Sequence, residues 1–468
     1  MSARGPERNK PKEGSHLKEY IFRMYDIRGV VAEDFPQPVV HDLGRAFGTF
    51  VRRQGGQTIA LSGDIRLTTP KLKTWYAEGL QSTGIEVIDI GILPTPANYF
   101  SMFHMDVDGA VQITGSHNPP DFNGFKMSYK RGAVYGDQIM AQMELINKGD
   151  YETGAGSLRE VDILAPYLDM LQEKITFDRP LKIALDCGNA AGCLAGPEIF
   201  RRLGVDLTEL YCDVDGTFPN HHPDPTVAEN LADLVAEVRT GGYDLGIAYD
   251  GDADRIGVVD DKGEIIPADR LMALFLEEVA RPGEPIIFDV KCSQALEEEI
   301  ERHGAKPVMW KTGHSLIKEK MREMQVSFAG EMSGHIFFGD EYFGYDDAIY
   351  VSLRLARLLS RSREPLSVLA ARIPQYFSTP ELRLECPTDE EKFAIAAAAE
   401  AYFKAHYDCI DIDGVRIRFG DGWGLVRASN TQPVIVCRFE ARTAERLAEI
   451  KAEVLDRLAT FGDIAISP

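Results

Sequence analysis

From about Thr58 the chain alternates short β-branched apolar runs with longer stretches of helical period, the signature of α/β units on largely parallel strands. Several of these runs end in a polar, glycine-containing loop. Ile59 to Asp64 and Ala110 to Ser116 form one pair, Ile183 to Gly188 and Gly246 to Asp252 a second, Ile286 to Lys291 and Phe328 to Ser333 a third. Successive pairs lie roughly a hundred residues apart, too far for a solenoid repeat and suited to repeated domains. Ligands of open α/β sheets gather at the carboxyl ends of strands, so three such domains can present their loops to one shared cleft. After Pro374 the pattern changes. An Ala-rich helical segment from Glu390 to Phe403 precedes strand-like runs at Val415 to Phe419 and Val434 to Phe439. A closing helix then places Leu447, Ile450, Val454, Leu455 and Leu458 on one face, which predicts a small α+β domain with that stripe in its core.

Composition bounds this picture. At 468 residues, with 44% hydrophobic and 26% charged residues, the chain has material for about three domains. No apolar run reaches bilayer-spanning length, and the segment from Met1 to Lys18 is polar and basic, without the apolar centre of a signal peptide. Residues 1–18 read as a mobile leader. The seven cysteines are scattered without Cys-x-x-Cys spacing, which predicts reduced thiols in a cytoplasmic protein and no structural zinc. The formal net charge of −22 argues against nucleic acid or an anionic membrane as partner. An acidic protein that binds anions must hold them with local cationic clusters.

Four loops carry chemistry. In Thr114-Gly-Ser-His-Asn-Pro-Pro120, Ser116 stands at a strand tip where Gly115 permits an unusual backbone angle and the prolines block a helix. Read alone, this is equally an ordinary Gly/Asn/Pro turn. It is not an α/β-hydrolase elbow, because Asn118 replaces the second glycine, and adjacent His117 points away from Ser116 on extended backbone. Asp250-Gly-Asp-Ala-Asp-Arg255 follows a strand predicted from Tyr243 to Tyr249. Its alternating carboxylates repel one another until a hard cation such as Mg²⁺ joins them, whereas the EF-hand pattern fails at Arg255 and Asp261. Gly330-Glu-Met-Ser-Gly-His335 offers donors and acceptors for vicinal hydroxyls, though a plain polar loop reads the same. Arg427-Ala-Ser-Asn-Thr-Gln-Pro433, with Arg438 on the next strand, reads as an anion nest or as a polar turn.

Taken in order, these loops resemble the α-D-phosphohexomutase superfamily, together with Tyr25-Asp-Ile-Arg-Gly29, Asn123-Gly-Phe-Lys126 and Lys311-Thr-Gly-His314. The resemblance implies three tandem α/β domains with mixed or parallel sheets, at 19–161, 162–264 and 265–376, and a smaller α+β domain at 377–468, around a central cleft. It implies Ser116 as a phosphoserine whose phosphoryl oxygen joins Asp250, Asp252 and Asp254 around one Mg²⁺. Arg28 and Lys126 match residues close to the reacting hydroxyl, and Arg255 is placed to face the phosphoryl group. Glu331 and Ser333 match sugar-hydroxyl contacts. Arg427, Ser429, Asn430 and Thr431 match the site of the non-reacting phosphate, and Tyr25, Lys291, His314 and His335 match other cleft positions. The expected reaction interconverts the 1- and 6-phosphates of mannose or glucose through a bound hexose 1,6-bisphosphate. Sugar phosphates are the expected partners, and the chain is expected to be a monomer or weak homo-oligomer. A phosphoglucosamine mutase, a Ser-dependent sugar phosphatase and a non-catalytic sugar-phosphate sensor stand as alternatives.

Overall fold

The computed structural model describes residues 17–429 and 434–466. Four sheets follow one another along the chain. In the first, Thr58–Gly63 lies parallel to both Glu86–Ile92 and Gly109–Ile113, so Asp64 and Thr114 emerge at the same sheet edge. The strand Phe122–Tyr129 runs antiparallel between Gly109–Ile113 and Ile27–Val30, setting Lys126 opposite Gln112 and Arg28 opposite Gly124. Thus three separate sequence motifs converge through register alone.

The second sheet repeats the arrangement. Leu245–Tyr249 is parallel to Lys182–Asp186 and antiparallel to Ile256–Asp260. All five residues of Leu245–Tyr249 are buried, as expected of a continuous apolar run covered on both faces. In the third sheet Pro285–Asp289 is parallel to Lys306–Trp310 and Phe328–Gly330, which carries Lys291, His314 and Glu331 to one edge. The C-terminal sheet is antiparallel through Val415–Arg418, Gly422–Ala428 and Val434–Ala441, with helices Asp389–His406 and Ala444–Leu458 packed on it. Ile450, Val454 and Leu458 of the predicted stripe are buried there. The strand Gly422–Ala428, which carries Arg427, is disguised in sequence by its Gly-Trp-Gly opening. Gly422 is needed because a Cβ would sit 2.4 Å from the Glu440 carbonyl oxygen.

One apolar core runs through the first three domains, from Ala60 and Ile88 through Leu245 to Phe275 and Leu353. The C-terminal domain has its own core around Ile417, Phe439 and Val454. It is attached through Trp423 and Leu425, which join the common core, and through buried polar contacts. Buried Arg416 donates to the carbonyls of Val290 and Cys292 at 2.7 Å, and Arg438 donates to the carbonyl of Lys291. All seven cysteines are free thiols, four of them buried. Among the described residues no helix is long and apolar enough to cross a membrane.

Candidate active site

Ser116 follows Gly109–Ile113 through Thr114 and Gly115, and its backbone is left-handed, with φ of +48°. Such a conformation costs a non-glycine residue about 1 kcal/mol or more and has to be held by its surroundings. Arg66 does most of the holding. Its guanidinium, 1% exposed, donates to the carbonyls of Ser116 (2.7 Å), Asn118 (2.6 Å), Phe122 (3.1 Å) and Pro119, and its Nε pairs with Asp64 at 3.1 Å. The opposite oxygen of Asp64 accepts from Thr69, while the oxygen paired with Arg66 also accepts from the Gly115 amide. A Cβ on Gly115 would lie 2.4 Å from the Arg66 guanidinium carbon, so glycine is required by close approach. Replacing Arg66 by Met leaves Asp64 buried without its ion-pair partner and the loop without its clamp. The expected cost is about 3–5 kcal/mol in stability and on the order of 10²-fold in kcat, read by denaturant titration and steady-state assay.

The acidic loop meets the serine directly. Ser116 Oγ donates to Asp250 Oδ2 at 2.9 Å, and Gly251 is needed because a Cβ there would stand 2.0 Å from the Ser116 carbonyl oxygen. His117 is turned to Asp224 instead, 2.7 Å away, so no Ser–His pair forms. Burial and the nearby Arg255 push the His117 imidazole down to about 4, which keeps it neutral at neutral pH.

Asp250, Asp252 and Asp254 are fully buried, with one oxygen of each lying within 4.8 Å of the others. Burial and the two neighbouring carboxylates hold the Asp250 carboxyl well above its usual range. Burial acts to raise Asp252 too, but the Lys126 ammonium and Thr95 hydroxyl hold it below the usual range. Lys126 Nζ donates to Asp252 at 2.8 Å and Asp254 at 2.5 Å, and Thr95 Oγ1 to Asp252 at 2.6 Å. Asp252 Oδ1 and Asp254 Oδ1 are buried without a hydrogen-bond partner. Three convergent carboxylates with two orphaned oxygens beside a serine hydroxyl fit a hard divalent cation of the Mg²⁺ kind.

Behind this loop lies a chain of buried polar groups. Arg255 Nε donates to His335 Nε2 at 3.0 Å, which places the neutral imidazole's proton on Nδ1. That nitrogen faces Asp346, 3.0 Å away, and the same carboxylate meets His314 at 3.3 Å and Lys318 at 2.8 Å. The rings of His314 and His335 stack, with centroids 5.1 Å apart.

The third-domain loop closes the next wall. Glu331 is 1% exposed and accepts from the Gly313 amide at 2.5 Å, and burial pushes its carboxyl up. Ser333 is half-buried. Tyr25 Oη donates to the Thr312 carbonyl at 2.7 Å, and the Thr312 amide donates to Asp413, which pairs with Arg427 at 3.2 Å. The loop around Thr312 therefore touches the first, third and C-terminal domains. Lys291 meets Glu381 at 3.4 Å, and Arg28 pairs with Asp26 at 2.5 Å. The buried Lys392 ammonium donates to the Ser429 carbonyl at 2.9 Å. Asn430 and Thr431 lie outside the described residues.

The structure thus brings Ser116, Lys126, Asp250, Asp252, Asp254, Arg255 and His335 into one buried network, with His314 joined through Asp346. Arg427 and Ser429 belong to a second group on the C-terminal domain, and Arg438 serves as a strut between domains. Arg66, Asp64, Thr95 and Asp346 escaped the sequence reading. Arg66 stands in a Gly63-Asp-Ile-Arg66 strand end that offers a signal only once a strand-end loop is taken to need a counter-charge.

Comparison with known proteins gives the same grouping. Models of the phosphoglucomutase/phosphomannomutase family match in chain order. They cover alpha/beta/alpha domain I at residues 19–152, domain II at 165–263, domain III at 267–377 and the C-terminal domain at 381–457. The phosphomannomutase/phosphoglucomutase of Pseudomonas aeruginosa is 44% identical over 445 residues, covering 94% of this chain and 96% of that protein. A crystal structure of a phosphoglucomutase/phosphomannomutase family protein from Burkholderia thailandensis superposes with a TM-score of 0.90 at 41% identity, covering 96% of this chain and 99% of that one. An N-acetylphosphoglucosamine mutase from Aspergillus fumigatus, solved with glucose 1,6-bisphosphate, shares the fold at a TM-score of 0.59 and 13% identity, with 97% of each chain covered. With all four family domains present in order and a full-length relative at 44% identity, this chain belongs to the phosphoglucomutase/phosphomannomutase family.

Proposed function

We propose that this protein interconverts the 1- and 6-phosphates of glucose and mannose, with Ser116 carrying the phosphoryl group between them. The observation that carries the reading is the 2.9 Å contact from Ser116 Oγ to Asp250 inside the carboxylate triad, with Lys126 on the opposite side of that triad. A serine whose hydroxyl meets no imidazole, only a carboxylate of the acidic triad, lacks the usual activation of an acyl nucleophile, but a phosphoserine acting as donor needs only cationic and hydrogen-bonding surroundings.

The residues divide the work. Asp250, Asp252 and Asp254, with an oxygen on Ser116, are the holders of one Mg²⁺. When bound, that ion neutralises the charge spread over the phosphoryl oxygens in transfer. Arg255, kept in place by His335 and Asp346, adds a fixed positive charge beside Ser116. Lys126 and Arg28 flank the acceptor hydroxyl with positive charge, the Lys126 ammonium held there by Asp252 and Asp254, and the proton that hydroxyl loses is balanced by the one the departing Ser116 oxygen regains. Glu331 and Ser333 bind vicinal sugar hydroxyls. Arg427 and Ser429, with Asn430 and Thr431 from sequence, grip the phosphate that does not react.

Two transfers with an intervening turn of the bisphosphate need one site that accepts both orientations of the sugar. Contacts limited to the 3- and 4-hydroxyls meet that need and leave the 2-position unread, so glucose and mannose both fit. Water must be kept out, because hydrolysis would make the enzyme a phosphatase. Grip on the passive phosphate can supply the closure energy, and the C-terminal domain, which has a core of its own, is the part that moves.

Arg427→Ala is therefore expected to lower kcat/KM by about 10²-fold, a loss of roughly 3 kcal/mol of charge-assisted binding. It should leave phosphorylation of Ser116 by glucose 1,6-bisphosphate detectable by intact mass. The function itself is tested by phosphorus NMR with Mg²⁺, a trace of glucose 1,6-bisphosphate and, in turn, glucose, mannose and glucosamine 1-phosphates. Conversion of the first two without inorganic phosphate is expected. Turnover of glucosamine 1-phosphate alone, or phosphate release matching product, would replace the reading by one of its alternatives.

A further inference from the structure

A cavity of about 530 Å³ lies between the first and third domains, on the far side of the His335–Asp346 pair from Ser116. None of the residues assigned above to phosphoryl transfer or sugar binding lines it. Its wall is aromatic. The ring of Tyr99 lies 5.5 Å from that of Tyr345, which stands nearly parallel to Phe343 at 5.8 Å, and Phe343 meets Phe103 at 4.6 Å.

Its mouth is cationic, in a protein whose net charge is −22. Arg131 and Arg322 both stand there, exposed, and among the described residues no carboxylate lies within ion-pair distance of either. Glu319 is the single acidic side chain on the wall among the described residues. Arg131 sits in the hairpin turn between Tyr129 and Gly132, where both central residues, Lys130 and Arg131, are left-handed, with φ of +48° and +62°. Such turns normally use Asn and Gly. Two long basic side chains there keep a strained backbone that places the Arg131 guanidinium over Phe103. Gly132 leaves room for Arg322, whose Nη1 would lie 2.6 Å from any Cβ at that position. At the floor, Ser315 is 1% exposed and its hydroxyl has no hydrogen-bond partner.

Ring faces, two uncompensated guanidiniums and one orphaned hydroxyl select for a flat, anionic ligand. A hexose phosphate would find few acceptors for its hydroxyls here. We propose that this cavity is a second ligand site for a nucleoside monophosphate, with the base against the aromatic wall and the phosphate at Arg131 and Arg322. The wall also includes Lys318, whose ammonium lies 4.1 Å from the Tyr99 ring centre and donates to Asp346 at 2.8 Å. A ligand that draws Lys318 from Asp346 alters the group holding His335 and, through it, Arg255. Occupancy is thereby coupled to turnover.

The test is calorimetric titration of the full chain with AMP, GMP, UMP and CMP, in Mg²⁺ and saturating glucose 1,6-bisphosphate to fill the catalytic cleft. At least one nucleotide is expected to bind with a sub-millimolar Kd, and the matching nucleoside and inorganic phosphate each about tenfold more weakly or worse. Arg131→Ala/Arg322→Ala should weaken binding by about tenfold or more and keep kcat without nucleotide close to that of the parent enzyme, which also reports that the variant is folded. Arg322→Gln alone should weaken binding to a smaller extent. In the parent enzyme the nucleotide should change kcat, and in the double variant it should not. The site is overturned if no nucleotide binds at millimolar concentration, if the bisphosphate displaces it, or if the arginine variants bind it unchanged. The coupling alone rests on the mutase reading, and it is overturned if the nucleotide binds and kcat does not move.

Discussion

Ser116→Ala is expected to lose mutase turnover by about 10⁴-fold or more, the scale seen when a covalent carrier is removed from a set of groups that act as one. The protein should remain folded. Ser116 is buried at 2% exposure, and Ala removes only a hydroxyl that donates to Asp250 Oδ2, while Oδ1 of the same carboxylate keeps the amides of Asp254 and Arg255 as donors at 3.0 and 3.1 Å. The left-handed backbone is no worse for Ala than for Ser, because Arg66 and Gly115 impose it from outside. The variant should therefore show an unchanged denaturation profile and still bind glucose 1,6-bisphosphate, yet accept no phosphoryl group from it. Steady-state assay beside calorimetry checks both halves. Loss of binding together with turnover would mean that the substitution collapsed the site rather than removing its carrier.

Asp252→Asn carries the second-largest expected effect. Asp252 gives one oxygen to Lys126 and Thr95 and leaves the other, Oδ1, buried and unpartnered. An amide has the same shape, so packing is retained. It lacks the charge that a hard cation requires, and its NH₂ group would face a donor or the metal. We expect kcat to fall by about 10²–10³-fold, the range found when one preorganised electrostatic group is removed. Thermal denaturation gives an independent readout. Mg²⁺ at a hundred times its Kd stabilises the protein that binds it by about 2.7 kcal/mol, and this increment should vanish in the variant. An unchanged response to Mg²⁺ would assign the ion to other residues.

The parts of this site that were readable in the sequence are those in which several polar residues crowd one strand end. Ser116 between Gly115 and a proline pair reads alone as an ordinary turn equally well, and gains weight only from the three aspartates at alternate positions and the loops after them; Ser116 and the three aspartates are buried. No Ser116–His117 pair forms, since His117 faces Asp224, but the expected reason does not hold: Ser116 is left-handed, not extended. The expected succession of three α/β domains and a C-terminal α+β domain matches four sheets in that order.

What escaped are single residues whose importance comes from a distant partner. Thr95 looks like the first residue of an apolar helix, Thr95–His104, yet its hydroxyl reaches Asp252 in the next domain. Asp346 is hidden beside Asp347, an ordinary N-cap of Ala348–Arg361, and only the fold brings His314, Lys318 and His335 to it. Arg438 looked like part of a phosphate nest because it follows the Arg427 loop. Strand register also gives it an interdomain contact, one guanidinium nitrogen donating to the Lys291 carbonyl. Local composition announces a loop that must gather charge, whereas long-range pairing depends on which strand ends become neighbours.

On the proposed mechanism Ser116 itself shuttles the phosphoryl group. The most direct measurement is intact-mass and peptide analysis of the protein in a quenched single turnover with Mg²⁺. The protein is first charged with glucose 1,6-bisphosphate, freed of excess, and mixed with one equivalent of glucose 1-phosphate. One phosphoryl group is expected on the Ser116 peptide, lost transiently on mixing as glucose 1,6-bisphosphate forms and regained as glucose 6-phosphate appears. A phosphoryl group on another residue, or its recovery as inorganic phosphate, would contradict that mechanism.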